Sequence, residues 1–326
     1  LTSFLSRLSQ PTPLILDGAT GTELDRRGVD IGLPLWSANA LLADSAADVL
    51  RQVHLDYLKA GADIITTDTF RTHRRSLAKS GYGDRARELT HRAVAIAKEA
   101  VGQASSLSMK EVAGQASSLS VKEVAGQAGS LSMKEVAGQA GSLSYVAGSI
   151  APLEDCYSPQ LVPSEAECRA EHSEMIHHLV EAGVDVLLIE TMNTIREAAV
   201  AARLAVITGR PAIVSFVCGA DGRLLSGESL TAAAQVTAPL GVAAIGVNCT
   251  ATPAIGDCLK ELRAACDLPL IAYGNIGYAD TDGNWVCTDA IEPDAYARYA
   301  KTWGAKIVGG CCGTTPEHIR RIANAN

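Results

Sequence analysis

Short apolar runs that end at a polar residue alternate along this chain with stretches whose apolar positions recur three or four residues apart. Leu14-Ile15-Leu16-Asp17-Gly18 is the first run, a buried strand whose C-terminal end carries a carboxylate. From Asp48 to Ala60 the spacing is helical (Val49, Val53, Leu55, Leu58), and Gly61 stops it. Asp63 to Phe70 is β-rich, and Arg85 to Ala100 is helical again. After an interruption, strands are predicted at Tyr145 to Ala151, Val184 to Met192, Pro211 to Cys218, Ala243 to Thr250, Pro269 to Gly277 and Lys306 to Gly310. A helical segment trails each one. Ser164 to Ala182 opens with Ser164 and Glu167 at capping-box spacing, Thr194 to Ile207 follows the fourth strand, and the last helix starts at Pro316. Eight strand-helix pairs in order predict an α/β fold, a (β/α)8 TIM barrel, with its site at the C-terminal ends of the strands. A doubly wound open sheet is the competing topology, but Gly18-Ala19-Thr20-Gly21 lacks the GxGxxG spacing that would mark one.

The interruption falls between the second helix and the third strand. Gly102 to Ala113, Gly114 to Ala125 and Gly126 to Ala137 are near-identical units, and a fourth copy breaks off around Ser144. The unit length matches none of the usual repeat periods, and each copy offers few bulky apolar groups to bury. Each Lys is offset by a Glu. The tract 101–144 is therefore expected to be a mobile or partly helical insertion in a single barrel domain spanning 1–326. A solenoid or binding array is the alternative. Deleting the tract is expected to leave the chemistry intact.

Composition narrows the function. A chain of 326 residues that is 47% hydrophobic can bury a large core. A net charge of -8 without basic runs argues against a nucleic-acid partner. No apolar stretch reaches the ~18 residues of a membrane span. Leu1 to Pro13 has no signal-peptide layout, and nine scattered cysteines, an odd number, form no disulfide framework. Reduced thiols and a cytoplasmic location are expected. A monomer or weak oligomer is the expected state.

The candidate chemistry lies at strand ends. Gly309-Gly310-Cys311-Cys312-Gly313-Thr314-Thr315-Pro316 sets two adjacent cysteines between glycines, just after an apolar run. In a regular strand adjacent side chains point to opposite faces, so the glycines must let the backbone turn for both sulfurs to meet one ligand. The run Ala243 to Val247 ends similarly, in Asn248-Cys249-Thr250. Three thiols at two strand ends could hold zinc with its fourth position open, which points to catalysis rather than scaffolding. Asp17 and Glu190 lie at two further strand ends. Cys156, Cys168, Cys218, Cys258, Cys266 and Cys287 read as small hydrophobes, and the seven histidines as surface or packing residues.

These segments resemble the homocysteine S-methyltransferase family. The likeness runs through Leu16 to Leu24 (LDGATGTEL), Leu35-Trp36-Ser37, Val53 to Tyr57, Gly61-Ala62-Asp63, Ile189-Glu190-Thr191, Gly246 to Cys249 and Gly310 to Pro316. The resemblance implies one zinc ion on Cys249, Cys311 and Cys312, with the sulfur of L-homocysteine as fourth ligand. It implies that Asp17 and Glu190 hold the homocysteine amino group, with Asn248 beside them in the substrate site. A zinc-bound thiol loses its proton, and three protein thiolates make the metal a poor Lewis acid, so the substrate sulfur keeps electron density to attack a methyl group.

Leu35-Trp36-Ser37 resembles the stand-alone branch, whose donor is S-methylmethionine or S-adenosylmethionine. No folate or cobalamin module is expected after the eighth helix, in keeping with that branch. Trp36 could offer an aromatic face to a sulfonium, and Asn275 is a second donor-side candidate. Tyr273-Gly274-Asn275-Ile276-Gly277 departs from the Tyr-Pro-Asn-type segment of the family. The alternatives are selenocysteine or another small thiol as acceptor, betaine or a methylated corrinoid as donor, and an inactive barrel whose repeats mediate interactions.

Overall fold

The computed structural model describes residues 3–118, 144–279, 285–286 and 291–325. Eight parallel strands form one sheet: β1 (Leu14–Ile15), β2 (Ile64–Thr66), β3 (Tyr145–Ile150), β4 (Val186–Met192), β5 (Ala212–Phe216), β6 (Ala244–Ala251), β7 (Leu270–Asn275) and β8 (Ile307–Gly310). Spatial neighbours are chain neighbours throughout, and β8 pairs with β1. A parallel bridge between Leu16 and Ile64, with Asp63 N donating to Ile15 O at 2.7 Å, joins β1 to β2 and brings the ring round. A doubly wound sheet would reverse its strand order part-way. This one does not, and the fold is a TIM barrel.

A main helix follows each strand: α1 (Asp44–Lys59), α2 (Ala86–Ser118), α3 (Glu165–Ala182), α4 (Ile195–Val206), α5 (Leu230–Thr237), α6 (Ile255–Ala265), α7 (Pro293–Trp303) and α8 (Pro316–Ala325), with short helical turns at Gly21–Arg26 and Arg74–Ala78 in the first two loops. The capping box forms as its spacing predicts: Ser164 Oγ accepts from Glu167 N, and Glu167 Oε2 accepts from Ser164 N at 3.0 Å. β2 ends at Thr66 rather than Phe70, and two helix boundaries also differ from expectation. α1 starts at Asp44 rather than Asp48, because a 3-10 turn at Trp36–Leu41 delivers the chain early to a capping position at Ala43. α2 continues beyond Ala100 to Ser118, through the first repeat unit and into the second. Its Gly102 meets no neighbour, and an isolated glycine weakens a helix without ending it. The rest of the repeat tract, 119–143, and Cys287 lie outside the described residues. Among the described residues, no helix is long and apolar enough to cross a membrane.

Strand alternation sorts the core into two layers. Leu14, Leu16, Ile64, Tyr145, Ala147, Val186, Leu188, Ile213, Ala244 and Ile271 fill the barrel interior. Phe4 and Leu8, on the helical turn Phe4–Leu8, join that cluster, with the Phe4 ring edge-on to Tyr145 at 5.3 Å. The intervening positions, such as Ile15, Ile65, Val146, Leu187, Val214 and Ile245, pack outward among the helices. Gly246 is a glycine because a Cβ there would lie 1.8 Å from Ile271 O. Continuing the inward register toward the C-terminal ends reaches Thr66, Ser149, Glu190, Asn248 and Tyr273. The interior therefore turns polar at the end where the site lies.

Candidate functional site

Two departures from strand geometry bring the three cysteines together. The pairing of β6 with β7 shifts register between Asn248 and Ala251, and Cys249 within that shift has φ +49°. A bulge with a left-handed residue re-aims the side chain it carries. At β8, Gly310 pairs with Gly274, and the chain then turns, with Thr314 N donating to Cys311 O at 3.1 Å and Gly313 at φ +87°. Cys249 Sγ lies 2.7 Å from Cys311 Sγ and 4.0 Å from Cys312 Sγ, and the three sulfurs fall within 4.8 Å of one another. All three are free thiols. Tetrahedral zinc with bonds of ~2.3 Å sets sulfurs about 3.8 Å apart. The Cys249–Cys312 spacing fits directly, and the Cys249–Cys311 spacing opens by ~1 Å to fit. Hydrogen bonding within the cluster holds the Cys311 thiol well below the usual thiol range and pushes Cys249 well above it.

The first loop holds the cysteine loop in place. Ala19 N donates to Thr314 Oγ1 at 3.2 Å, Gly313 N to Thr22 Oγ1 at 3.0 Å, and Arg26 to Gly313 O at 2.7 Å. Tyr57 reaches in from α1 and donates to Ala19 O at 2.8 Å. A Cβ at Gly18 would come within 2.8 Å of Thr314 and of the Tyr57 ring. The LDGATGTEL and GCCGTTP segments, far apart in sequence, are two halves of one packed unit.

Two carboxylates face the thiols from other strand ends. Asp17, 1% exposed, accepts from Thr66 N and Thr66 Oγ1, both at 2.8 Å. Glu190, 8% exposed, accepts from Ser149 at 2.5 Å and from Tyr273 at 2.9 Å. Burial pushes the Asp17 pKa up to about 8 against the Thr66 hydrogen bonds, and the Glu190 charge adds to the rise. Burial likewise pushes Glu190 up to about 7, with the Ser149 hydrogen bond opposing and Cys311 adding. A buried carboxylate pair with raised pKa values favours an arriving cation. Thiols and carboxylates alike line a cavity of about 660 Å³ at the C-terminal mouth of the barrel.

Comparison with known proteins now bears on this site. A profile of the family described as Homocysteine S-methyltransferase matches residues 14–326. The chain belongs to the homocysteine S-methyltransferase family. It is 31% identical over 326 residues to Homocysteine S-methyltransferase YbgG of Bacillus subtilis, covering 95% of this chain and 93% of that one. It is 30% identical to the Selenocysteine methyltransferase of Astragalus bisulcatus, covering 99% and 94%. The metallated form of the homocysteine methyltransferase MmuM from Escherichia coli superimposes with a TM-score of 0.75 at 28% identity, covering 98% and 97% of the two chains.

Within this family framework each sequence-predicted residue has a definite place. Cys249, Cys311, Cys312, Asp17, Glu190 and Trp36 all line the cavity. Asn248 is fully buried behind it: its Oδ1 accepts from Thr191 N at 2.9 Å and its Nδ2 donates to Thr191 Oγ1 at 2.8 Å. Thr191 has φ +58° where the β4–β5 register shifts, so Asn248 props the bulge that follows Glu190. Asn275 donates to Cys249 O at 2.9 Å and likewise sits behind the wall, supporting the thiol bulge. Sequence reading missed Ser149 and Tyr273, which orient Glu190. The signal for both was the inward register of β3 and β7. It also missed Asp68, Phe70, Arg71 and Tyr157 in the cavity wall, and it read the cavity-lining Cys156 as packing alone.

Proposed function

We propose that this chain transfers a methyl group from a sulfonium donor, S-methylmethionine or S-adenosylmethionine, to the thiol of L-homocysteine, giving methionine. The observation that carries the reading is the convergence of Cys249, Cys311 and Cys312 in the wall of a cavity that also presents Asp17 and Glu190. Zinc held by those three sulfurs would supply a fourth position that takes the acceptor sulfur as a thiolate.

The chain's own residues do the rest. Asp17 and Glu190 receive the acceptor ammonium, and each carboxylate is already aimed by the partners that bind it. The ammonium favours their charged forms, which burial alone disfavours. The Thr314, Thr22 and Arg26 contacts hold the cysteine loop rigid, so the sulfurs need little rearrangement. The acceptor thiol gives its proton to solvent. Its electron pair then forms the new S–CH3 bond while the donor S–CH3 bond breaks, leaving that pair on the donor sulfur. A cytoplasmic location suits the free thiols.

A second acceptor stands beside homocysteine. The Astragalus bisulcatus relative carries the name selenocysteine methyltransferase, and the same three sulfurs and two carboxylates suit a selenolate amino acid. The test is methionine formation by zinc-loaded protein from L-homocysteine and S-methylmethionine, with a zinc-stripped control and L-selenocysteine in parallel. Zinc-dependent methionine is the expected product. Product at equal rate in the stripped protein would contradict the metal assignment, and a rate with selenocysteine far above that with homocysteine would exchange the acceptor.

A further inference from the structure

The loops after β1 and β2 bring to the same cavity polar groups that the acceptor reading leaves unused. Asp68, in the loop after β2, is 3% exposed, and its Oδ2 has no hydrogen-bond partner among the described residues. The Ser37 hydroxyl bonds to its carboxyl group. Arg71, three residues on, is half-buried. One of its terminal nitrogens reaches Glu154 O at 3.4 Å, while its buried Nε is unpartnered. Neither residue makes an ion pair among the described residues. An unpaired buried carboxylate oxygen and an unpaired buried guanidinium N–H are both costly unless a ligand completes them.

Between them stands an aromatic pair. Trp36 and Phe70 meet edge-on with ring centroids 5.8 Å apart, and the Arg71 guanidinium carbon lies 5.6 Å from the Phe70 centroid. The Trp36 ring lies against Gly21, where a Cβ would come within 2.5 Å of it, so its position is fixed from behind. Trp36, Ser37, Asp68, Phe70 and Arg71 all line the cavity. An anion, a cation and two π faces on one wall match a zwitterionic amino acid that carries a second positive centre.

Resting on the methyl-transfer reading above, we propose that Asp68 and Arg71 form a receptor for the amino-acid end of the methyl donor. Asp68 Oδ2 accepts from the donor ammonium, Arg71 grips its carboxylate, and Trp36 with Phe70 faces the sulfonium. The acceptor ammonium goes to Asp17 and Glu190, whose oxygens are already oriented by Thr66, Ser149 and Tyr273. The two amino acids thus use separate carboxylates. The enzyme would select sulfonium donors that are themselves α-amino acids over simple sulfonium or betaine-like donors.

Three donors separate the parts: S-methylmethionine has both charged ends, dimethylsulfoniopropionate keeps only the carboxylate, and trimethylsulfonium has neither. With zinc-loaded full-length chain, Arg71→Gln should raise KM about tenfold or more for the first two donors and leave trimethylsulfonium unchanged. Asp68→Asn should raise KM for S-methylmethionine alone. In both variants KM for L-homocysteine should move less than about twofold, since other residues make its contacts. Calorimetric titration of S-methylmethionine should show the same ranking. If the wild-type chain methylates homocysteine from none of the three donors and not from S-adenosylmethionine either, the sulfonium reading fails and this one with it. If it uses S-methylmethionine but the variants leave that KM unchanged, or slow trimethylsulfonium equally, the receptor assignment alone is overturned.

Discussion

The lower and upper halves of the barrel interior are built from the same strands, yet they obey different rules. Below, Leu14, Ile64, Tyr145, Val186, Ile213 and Ala244 fill the space with apolar side chains on regular backbone. Above, Asp17, Ser149, Glu190, Asn248 and Tyr273 replace them, each tied by hydrogen bonds to a neighbouring strand or loop. The backbone there leaves strand geometry at Thr191 and Cys249, with φ of +58° and +49°. The lower half is stable because little is left unsatisfied. The upper half is reactive because buried charge and strained backbone are held there by what surrounds them.

Breaking the upper half at its metal ligands should have the largest effect. Cys312→Ser removes one of three sulfurs from a loop still held by backbone bonds, threonine hydroxyls and Arg26. The variant should bind little zinc and lose methyl transfer by more than the ~100-fold that loss of a supporting residue costs, while circular dichroism stays that of the wild type. Full zinc content with normal turnover would remove Cys312 from the ligand set.

The buried carboxylates give the next effect, read as stability against pH. Burial raises Asp17 to about 8 and Glu190 to about 7, whereas an unfolded carboxyl titrates near about 4. The folded chain therefore binds more protons than the unfolded chain between about pH 4 and pH 8, and the contribution of these groups to stability falls as pH rises through that window. Melting temperatures across that range should decline more steeply for the wild type than for an Asp17→Asn, Glu190→Gln double variant. Parallel curves would mean that the pair is not buried as a charge. Homocysteine should reduce the wild-type slope.

The smallest effect should come from behind the wall. Asn248→Ala leaves the buried Thr191 N–H without its partner, at a cost of ~1–3 kcal/mol in chemical denaturation. It should also raise KM for homocysteine, because the bulge after Glu190 loses its prop. An unchanged unfolding midpoint would show that the bulge holds itself.

Much of the lower half was legible in the sequence. Apolar runs that end at a polar residue, with the glycine and capping signals, place all eight strands, and the Ser164–Glu167 box forms where its spacing says. The three cysteines and two carboxylates were legible as chemistry because each ends an apolar run. The supporting groups were not. Asn248 reads as a substrate contact beside a ligand cysteine, and only the bulge at Thr191 shows what its amide holds. Asp68 sits in a run, Thr66 to Phe70, that looks like continuing strand, but the strand ends at Thr66 and the residues beyond fold over the cavity. Propensity sees residue types one at a time. Which polar atoms stay unpaired depends on segments brought together from across the chain.

The most direct measurement is zinc K-edge absorption of the zinc-loaded chain, before and after adding L-homocysteine. The account predicts three sulfur neighbours and one lighter atom without substrate, and four sulfurs with it. A first shell that keeps three sulfurs and a lighter atom at saturating homocysteine would contradict direct binding of the acceptor sulfur. Fewer than three sulfurs at the start would contradict the ligand set itself.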